Sequence, residues 1–261
     1  MIIVSIILYI AVALILMAAL ALLWWYVFSV ESTPDEIHFV TTTDGWRIVL
    51  HRYRPRGEKK WREPVFLCHG LGANRFDLDL DERFSLARCL RFSGFDCWVI
   101  ELRGAGMSSK PRLFRRGYWI EGETPRPAYS GTPEEPRALY FNDAKTARRG
   151  SRQWNFEDHY QKDAPAALQH ILRITGSTSI HWVGHSMGGM LMYAFLEREN
   201  AQWIKSAVAI ASPVDFSCMS PSVTGLLRWR PVVHRLPFIP SGIWVKLLSP
   251  LPGFFAPLLR I

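Results

Sequence analysis

The stretch "HWVGHSMGGM", residues 181–190, constrains this chain more than any other. An apolar run of strand character breaks into glycines around a single serine and resumes as a helix, so strand, tight turn and helix must follow within ten residues. A serine held on so sharp a turn needs small residues two before and two after it, and Gly184 and Gly188 supply them. The turn then lifts the Ser186 hydroxyl over the C-terminal edge of a sheet, where the N-terminus of the next helix favours developing negative charge. Gly-x-Ser-x-Gly alone is a weak signal; its position between a strand and a helix makes it a nucleophile elbow.

The flanking chain supplies such a sheet. "IHFVTTTDGWRIVLHRY" holds two alternating runs around Asp44-Gly45, which predicts an antiparallel hairpin. "PVFLCHG" and "FDCWVIELRG" read as buried strands separated by a helix in "ERFSLARCLRFSG". "WNFEDHYQKDAPAALQHILRITG" carries Ala167, Leu168, Ile171 and Leu172 on one helical face, with Gly176 as its stop. A strand in "SIHWVG", a helix from Met187 and a strand in "IKSAVAIAS" complete the rhythm. The fold class expected is α/β, a mostly parallel, doubly wound sheet that begins with an antiparallel hairpin. Residues 107–153 interrupt it: they are rich in Pro, Gly and Arg, show no period, and read as a long insertion, either an excursion without structure or a loop bordering the site.

Ahead of the sheet, no charged side chain occurs before Glu31, and the apolar run exceeds the ~20 residues needed to cross a bilayer. Trp24, Trp25 and Tyr26 suit a membrane interface. A cleaved leader is the competing reading, but its basic start is missing and the run is too long. Residues 1–30 are therefore expected to be one transmembrane helix and the partner they imply is a lipid bilayer. Arg47, Arg52, Arg54, Arg56, Lys59 and Lys60 follow, which places the globular part on the cytoplasmic side.

The formal net charge of +8 raises nucleic acid as a partner. The basic residues are scattered and no nucleic-acid motif accompanies them, so proximity to anionic headgroups is the simpler account. Cys68, Cys89, Cys97 and Cys218 lack metal-ligand spacing and read as reduced core residues.

Attack by Ser186 on a carbonyl would create an oxyanion that needs two N–H donors. The amide of Met187 follows the serine directly, and the loop "CHGLG" offers that of Leu71. At this point the sequence resembles the α/β-hydrolase superfamily, and within it the membrane-associated esterases and acid-lipase-like members, through "LCHGLGAN", "ELRGAGMSSKP", "WNFEDHYQKDAPAAL", "HWVGHSMGGM" and "ASPVDF" over residues 37 to 215. The resemblance implies Ser186 as nucleophile, the amides of Leu71 and Met187 as oxyanion hole, and structural roles for Arg103, Gly104 and Gly106. His69 is expected to brace the oxyanion loop; His185, adjacent to the serine on a sharp elbow, cannot serve as its base.

Family members continue through further strand and helix units that carry the acid and then the histidine. Here the order Ser186, Asp215, His234 is formally complete, yet no final strand holds His234. The alternative readings are a lid histidine and a turn-capping aspartate. The chain is accordingly expected to be incomplete at the C-terminal end of the fold, as the N-terminal portion of a longer hydrolase. Residues 37–216 form the hydrolase core and 217–261 a cap-like or lid-like tail, apolar and basic, which either sits on a bilayer or packs inward.

The function expected is cleavage of an ester or related acyl bond through an acyl-serine intermediate, on an apolar or lipid-like substrate. That chemistry requires neither a metal nor an organic cofactor. A catalytically incomplete binding protein and an acyltransferase remain the alternatives.

Overall fold

A computed structural model of the chain describes residues 2–27, 32–58, 60–109, 139–142, 154–197, 199–215 and 225. The elements in chain order are α1 (Ile2–Val27), β1 (Glu36–Thr41), β2 (Arg47–Tyr53), β3 (Val65–Cys68), α2 (Leu86–Phe92), β4 (Cys97–Glu101), β5 (Leu139–Asn142), α3 (Phe156–Asp158), α4 (Ala164–Thr175), β6 (Ile180–His185), α5 (Met187–Leu196) and β7 (Ile204–Ile210).

The seven strands form one sheet in the order β5-β1-β2-β4-β3-β6-β7. The expected hairpin is present: β1 and β2 pair antiparallel around a turn in which Gly45 takes φ 85° and the Trp46 amide donates to Thr42 Oγ1 at 3.0 Å. β2 also runs antiparallel to β4, whereas β4, β3, β6 and β7 are mutually parallel, so the mostly parallel sheet read from the sequence is observed. One expectation is corrected. Within the segment read as lacking strand period, β5 pairs parallel with β1, Glu36 opposite Leu139. Four residues are too few to show alternation, and their pairing depends on an edge that only the folded sheet provides.

The pleat sends alternate residues to opposite faces, and each face has its own helices. Phe66, Trp98, Ile100 and Trp182 join Leu168 and Ile171 of α4 and Leu191 and Phe195 of α5 on one side. Val65, Leu67, Cys97 and Val99 meet Ala87 of α2 on the other. Phe66 and Trp182 pack edge to face, ring centroids 4.8 Å apart at 90°. Burial on both faces explains why β3 and β4 read as continuous apolar runs.

Helix ends follow local chemistry. Ser85 caps α2 by accepting from the Arg88 amide at 2.9 Å. Gly176 ends α4 in the left-handed region, φ 67°, as its sequence position predicts. The helix carrying Ala167, Leu168, Ile171 and Leu172 is α4, and it is preceded by α3 and a wider π turn over His159–Asp163. Cys68 and Cys97 are buried and unbridged, and burial pushes both thiols up in pKa. Cys89 departs from the core reading, because it lies on the exposed side of α2; Cys218 lies outside the described residues.

α1 is 26 residues long, roughly 39 Å of helix, with no acidic residue in its first turn and no basic residue in its last. Its side chains from residues 8 to 20 are all exposed. Counting only described residues, no helix is long and apolar enough to cross a membrane, the unbroken run of described α1 side chains being 8–20. Residues 32–35, just ahead of β1, are tied to the globular part: the Ser32 hydroxyl donates to Asp79, Arg88 Nη2 lies 3.0 Å from Ser32 Oγ, and Arg91 pairs with Asp35 at 3.1 Å.

Candidate active site

Ser186 stands between β6 and α5 with φ 49° and ψ −115°, a left-handed conformation that a non-glycine residue adopts only under constraint. Three contacts impose it. The Ser186 amide donates to Ile210 O of β7 at 2.9 Å, and the Ser186 carbonyl receives the amides of Gly189 and Met190 at 3.1 and 3.2 Å. The flanking glycines are required by backbone, as expected. A Cβ on Gly184 would lie 2.4 Å from the Gly188 carbonyl group, and one on Gly188 would lie 2.2 Å from Cys68 O. Gly189 belongs to the same cluster, since its Cβ would fall 2.1 Å from Ser212 Oγ. Met187 is the first residue of α5, where an amide has no carbonyl partner within the helix.

The loop after β3 faces the elbow. A Cβ on Gly70 would approach Ser186 Cβ to 3.2 Å, so this glycine permits close approach of the two turns. His69 is buried and braced at both ring nitrogens. The Leu102 amide donates to Nε2 at 3.2 Å, which makes Nδ1 the proton-bearing atom that donates to Gly70 O at 2.8 Å. Burial lowers the His69 pKa, in keeping with a neutral ring in that role. Leu71 is 81% exposed beside this loop.

Asp77 is a site residue that the sequence alone does not mark. Its Oδ2 accepts from the Gly70 amide at 3.0 Å and lies 2.7 Å from His185 Nδ1. Nothing in the sequence links two residues 108 positions apart, although a carboxylate in the same loop as His69-Gly70 was a visible signal.

Four further histidines, His38, His159, His170 and His181, are engaged elsewhere. His159 Nδ1 lies 2.9 Å from Asp163, His170 pairs with His38 at 3.0 Å, and His181 lies 2.7 Å from Ser206 Oγ. Arg103 has the structural role expected of it, held between Asp163 and Asp44. Gly104 and Gly106 take φ 85° and 46°, and a Cβ on Gly106 would collide with the Glu101 carboxylate.

Of the expected site residues, the fold brings Ser186 and Met187 to one turn and sets the loop carrying Leu71 against it. Asp215 is exposed just past β7, and His234 lies outside the described residues. Among the described residues no three His, Cys, Asp or Glu side chains converge to hold a metal ion.

A strand-turn-helix elbow on a mostly parallel sheet, faced by a histidine-glycine loop, defines a class of protein. The family model for the alpha/beta hydrolase fold matches residues 63–238, and the chain belongs to that family. Among similar curated proteins, Lipase lipl-3 of Caenorhabditis elegans is 27% identical over 189 residues, 68% of this chain and 39% of that protein. The lysosomal acid lipase/cholesteryl ester hydrolase of Macaca fascicularis is 29% identical over 198 residues, 72% of this chain and 42% of that protein. The chain thus spans about two fifths of the length of these relatives. A solved alpha-beta serine hydrolase homologue from Coxiella burnetii aligns with a TM-score of 0.44 and 14% identity, covering 72% of this chain and 67% of that one.

Proposed function

We propose that this chain carries the nucleophile of a serine hydrolase that cleaves an ester or related acyl bond, with Ser186 forming the acyl intermediate. The observation that carries the reading is the constrained backbone of Ser186, φ 49°, at the junction of β6 and α5. Strain of this kind is kept where it serves to present a side chain. In the reaction, Ser186 Oγ attacks the carbonyl carbon while its proton passes to a base. The oxygen becomes an anion between the amides of Met187 and Leu71, and collapse expels the alcohol. Asp215 and His234 stand in the chain order the family uses for the acid and the base, and are the candidates this chain offers for those roles. Water then completes hydrolysis of the acyl-enzyme.

An apolar, lipid-like acyl ester is the substrate class we assign. The matched relatives include proteins named as lipases, and the loop beside Ser186 presents an exposed Leu71. Residues 1–30 serve as a single-pass anchor, with the core over 37–216 and the tail over 217–261 on the cytoplasmic side. Support for the anchor comes from α1, whose exposed apolar side chains have no favourable contact in water. The short, pinned connection through Ser32 would keep the catalytic core close to that bilayer.

The test is labelling by a fluorophosphonate probe of the detergent-solubilised 261-residue chain, alongside Ser186→Ala and His234→Ala. Labelling of wild type and its loss in Ser186→Ala is the expected result, and loss in His234→Ala as well would identify His234 as the base and show that the chain holds a compact triad. A folded wild type that takes no label would remove the reading.

A further inference from the structure

We propose that Asp77 is a positioning residue, whose Oδ2 couples the loop carrying the Leu71 oxyanion donor to the turn carrying Ser186. The inference rests on the serine-hydrolase reading above and identifies how its anion-binding site is held. One carboxylate oxygen receives two donors from separate parts of the chain. The Gly70 amide reaches it at 3.0 Å from the loop after β3, and the His185 ring reaches it at 2.7 Å from the residue preceding the nucleophile. Since a carboxylate only accepts, His185 Nδ1 carries the proton in this contact.

The consequence is fixed peptide orientation. In a trans peptide, N–H and C=O point in opposite directions within one plane. Asp77 holds the plane between His69 and Gly70 through the Gly70 amide. His69 Nδ1 holds the next plane through Gly70 O at 2.8 Å, and the Ala73 amide approaches the same oxygen at 3.3 Å. With Gly70 O turned towards these donors, the Leu71 N–H is directed the opposite way. The Gly70 amide, already taken by Asp77, is not a second donor to the anion, which leaves Leu71 as the donor from this loop. Asp77 is itself seated by a short 3-10 turn over Arg75–Asp77, which Asn74 caps by accepting from the Phe76 amide at 3.0 Å.

The experiment compares wild type, Asp77→Ala and Asp77→Asn in the full 261-residue chain. Three quantities are read: the rate of Ser186 phosphonylation at saturating probe, hydrogen exchange of the Gly70 amide, and Tm. Asp77→Ala is expected to slow phosphonylation roughly ten-fold or more, a fraction of the loss seen when an oxyanion donor is deleted. It should also speed Gly70 exchange. Asp77→Asn, whose side-chain oxygen can accept both hydrogen bonds, should recover most of the rate. Phosphonylation of folded Asp77→Ala at the wild-type rate would overturn the proposal, as would an Asn variant no better than Ala. If wild type takes no label, the nucleophile reading fails, and Gly70 exchange alone decides the coupling: protection lost in Asp77→Ala upholds it, and an amide unprotected in wild type removes it.

Discussion

Arg103 and Asp163 are joined twice: the Arg103 backbone amide donates to Asp163 Oδ2 at 3.2 Å, and Arg103 Nε donates to Asp163 Oδ1 at 2.8 Å. Both side chains are almost wholly buried, and the rest of the guanidinium fork reaches Asp44 Oδ2 and Oδ1 at 2.8 and 3.1 Å. One side chain thereby ties the hairpin turn, the loop after β4 and the start of α4. Removing a single member would leave a buried charge without its partner, the costly way to disrupt such a network.

Arg103→Met is therefore expected to lower unfolding free energy by about 3 to 5 kcal/mol, measured by urea denaturation. The double variant Arg103→Met, Asp163→Leu should recover part of this, because it removes both charges together. Additive losses would contradict the account.

Acid should loosen the same region. Burial by itself raises the Asp44 pKa, but Arg103 and Thr42 hold it down at about 2, below its ordinary value of 3.8. Glu101 behaves alike: burial raises it, and the His51 ring, 3.2 Å away without hydrogen-bond alignment, and the Met107 amide bring it to about 2 from 4.5. Folded-state values below the unfolded ones mean that the unfolded chain takes up protons first. The stabilisation is present above about pH 4.5 and is lost as pH falls towards 2. A urea midpoint that does not decline over that window would refute the assignment.

Two glycines, the stop of α4 and one flanking Ser186, give a graded test. Gly176→Ala places a methyl group in open space but keeps φ at 67°, so roughly 1 to 2 kcal/mol of left-handed strain is its whole cost. Gly188→Ala meets Cys68 O at 2.2 Å, a backbone atom that cannot turn away. It should cost more than Gly176→Ala and slow labelling of Ser186, whereas Gly176→Ala should leave the labelling rate unchanged.

The bilayer anchor is tested by charge. Leu14→Arg with Ile15→Arg, near the middle of α1, should each oppose insertion by about 2.5 to 3.5 kcal/mol. The variant chain is expected to leave the membrane fraction on alkaline extraction while wild type stays. Retention of both would count against a spanning helix.

What the sequence determined by itself was set locally. The apolar runs of β3, β4 and β6, the glycines around Ser186, the hairpin at Asp44-Gly45 and the stop at Gly176 were all legible, because strand burial, turn geometry and helix termination depend on neighbours a few residues away. The tertiary structure decided what depends on residues far apart. β5 is a strand only because β1 offers it an edge, and the π turn before α4 places His159 and Asp163 side by side beneath Arg103. The link from Gly70 through Asp77 to His185 exists only once β3 and β6 lie next to each other in the sheet. Periodicity carries no information about such pairings, since they come from closing long loops around a core and not from the preferences of any one segment.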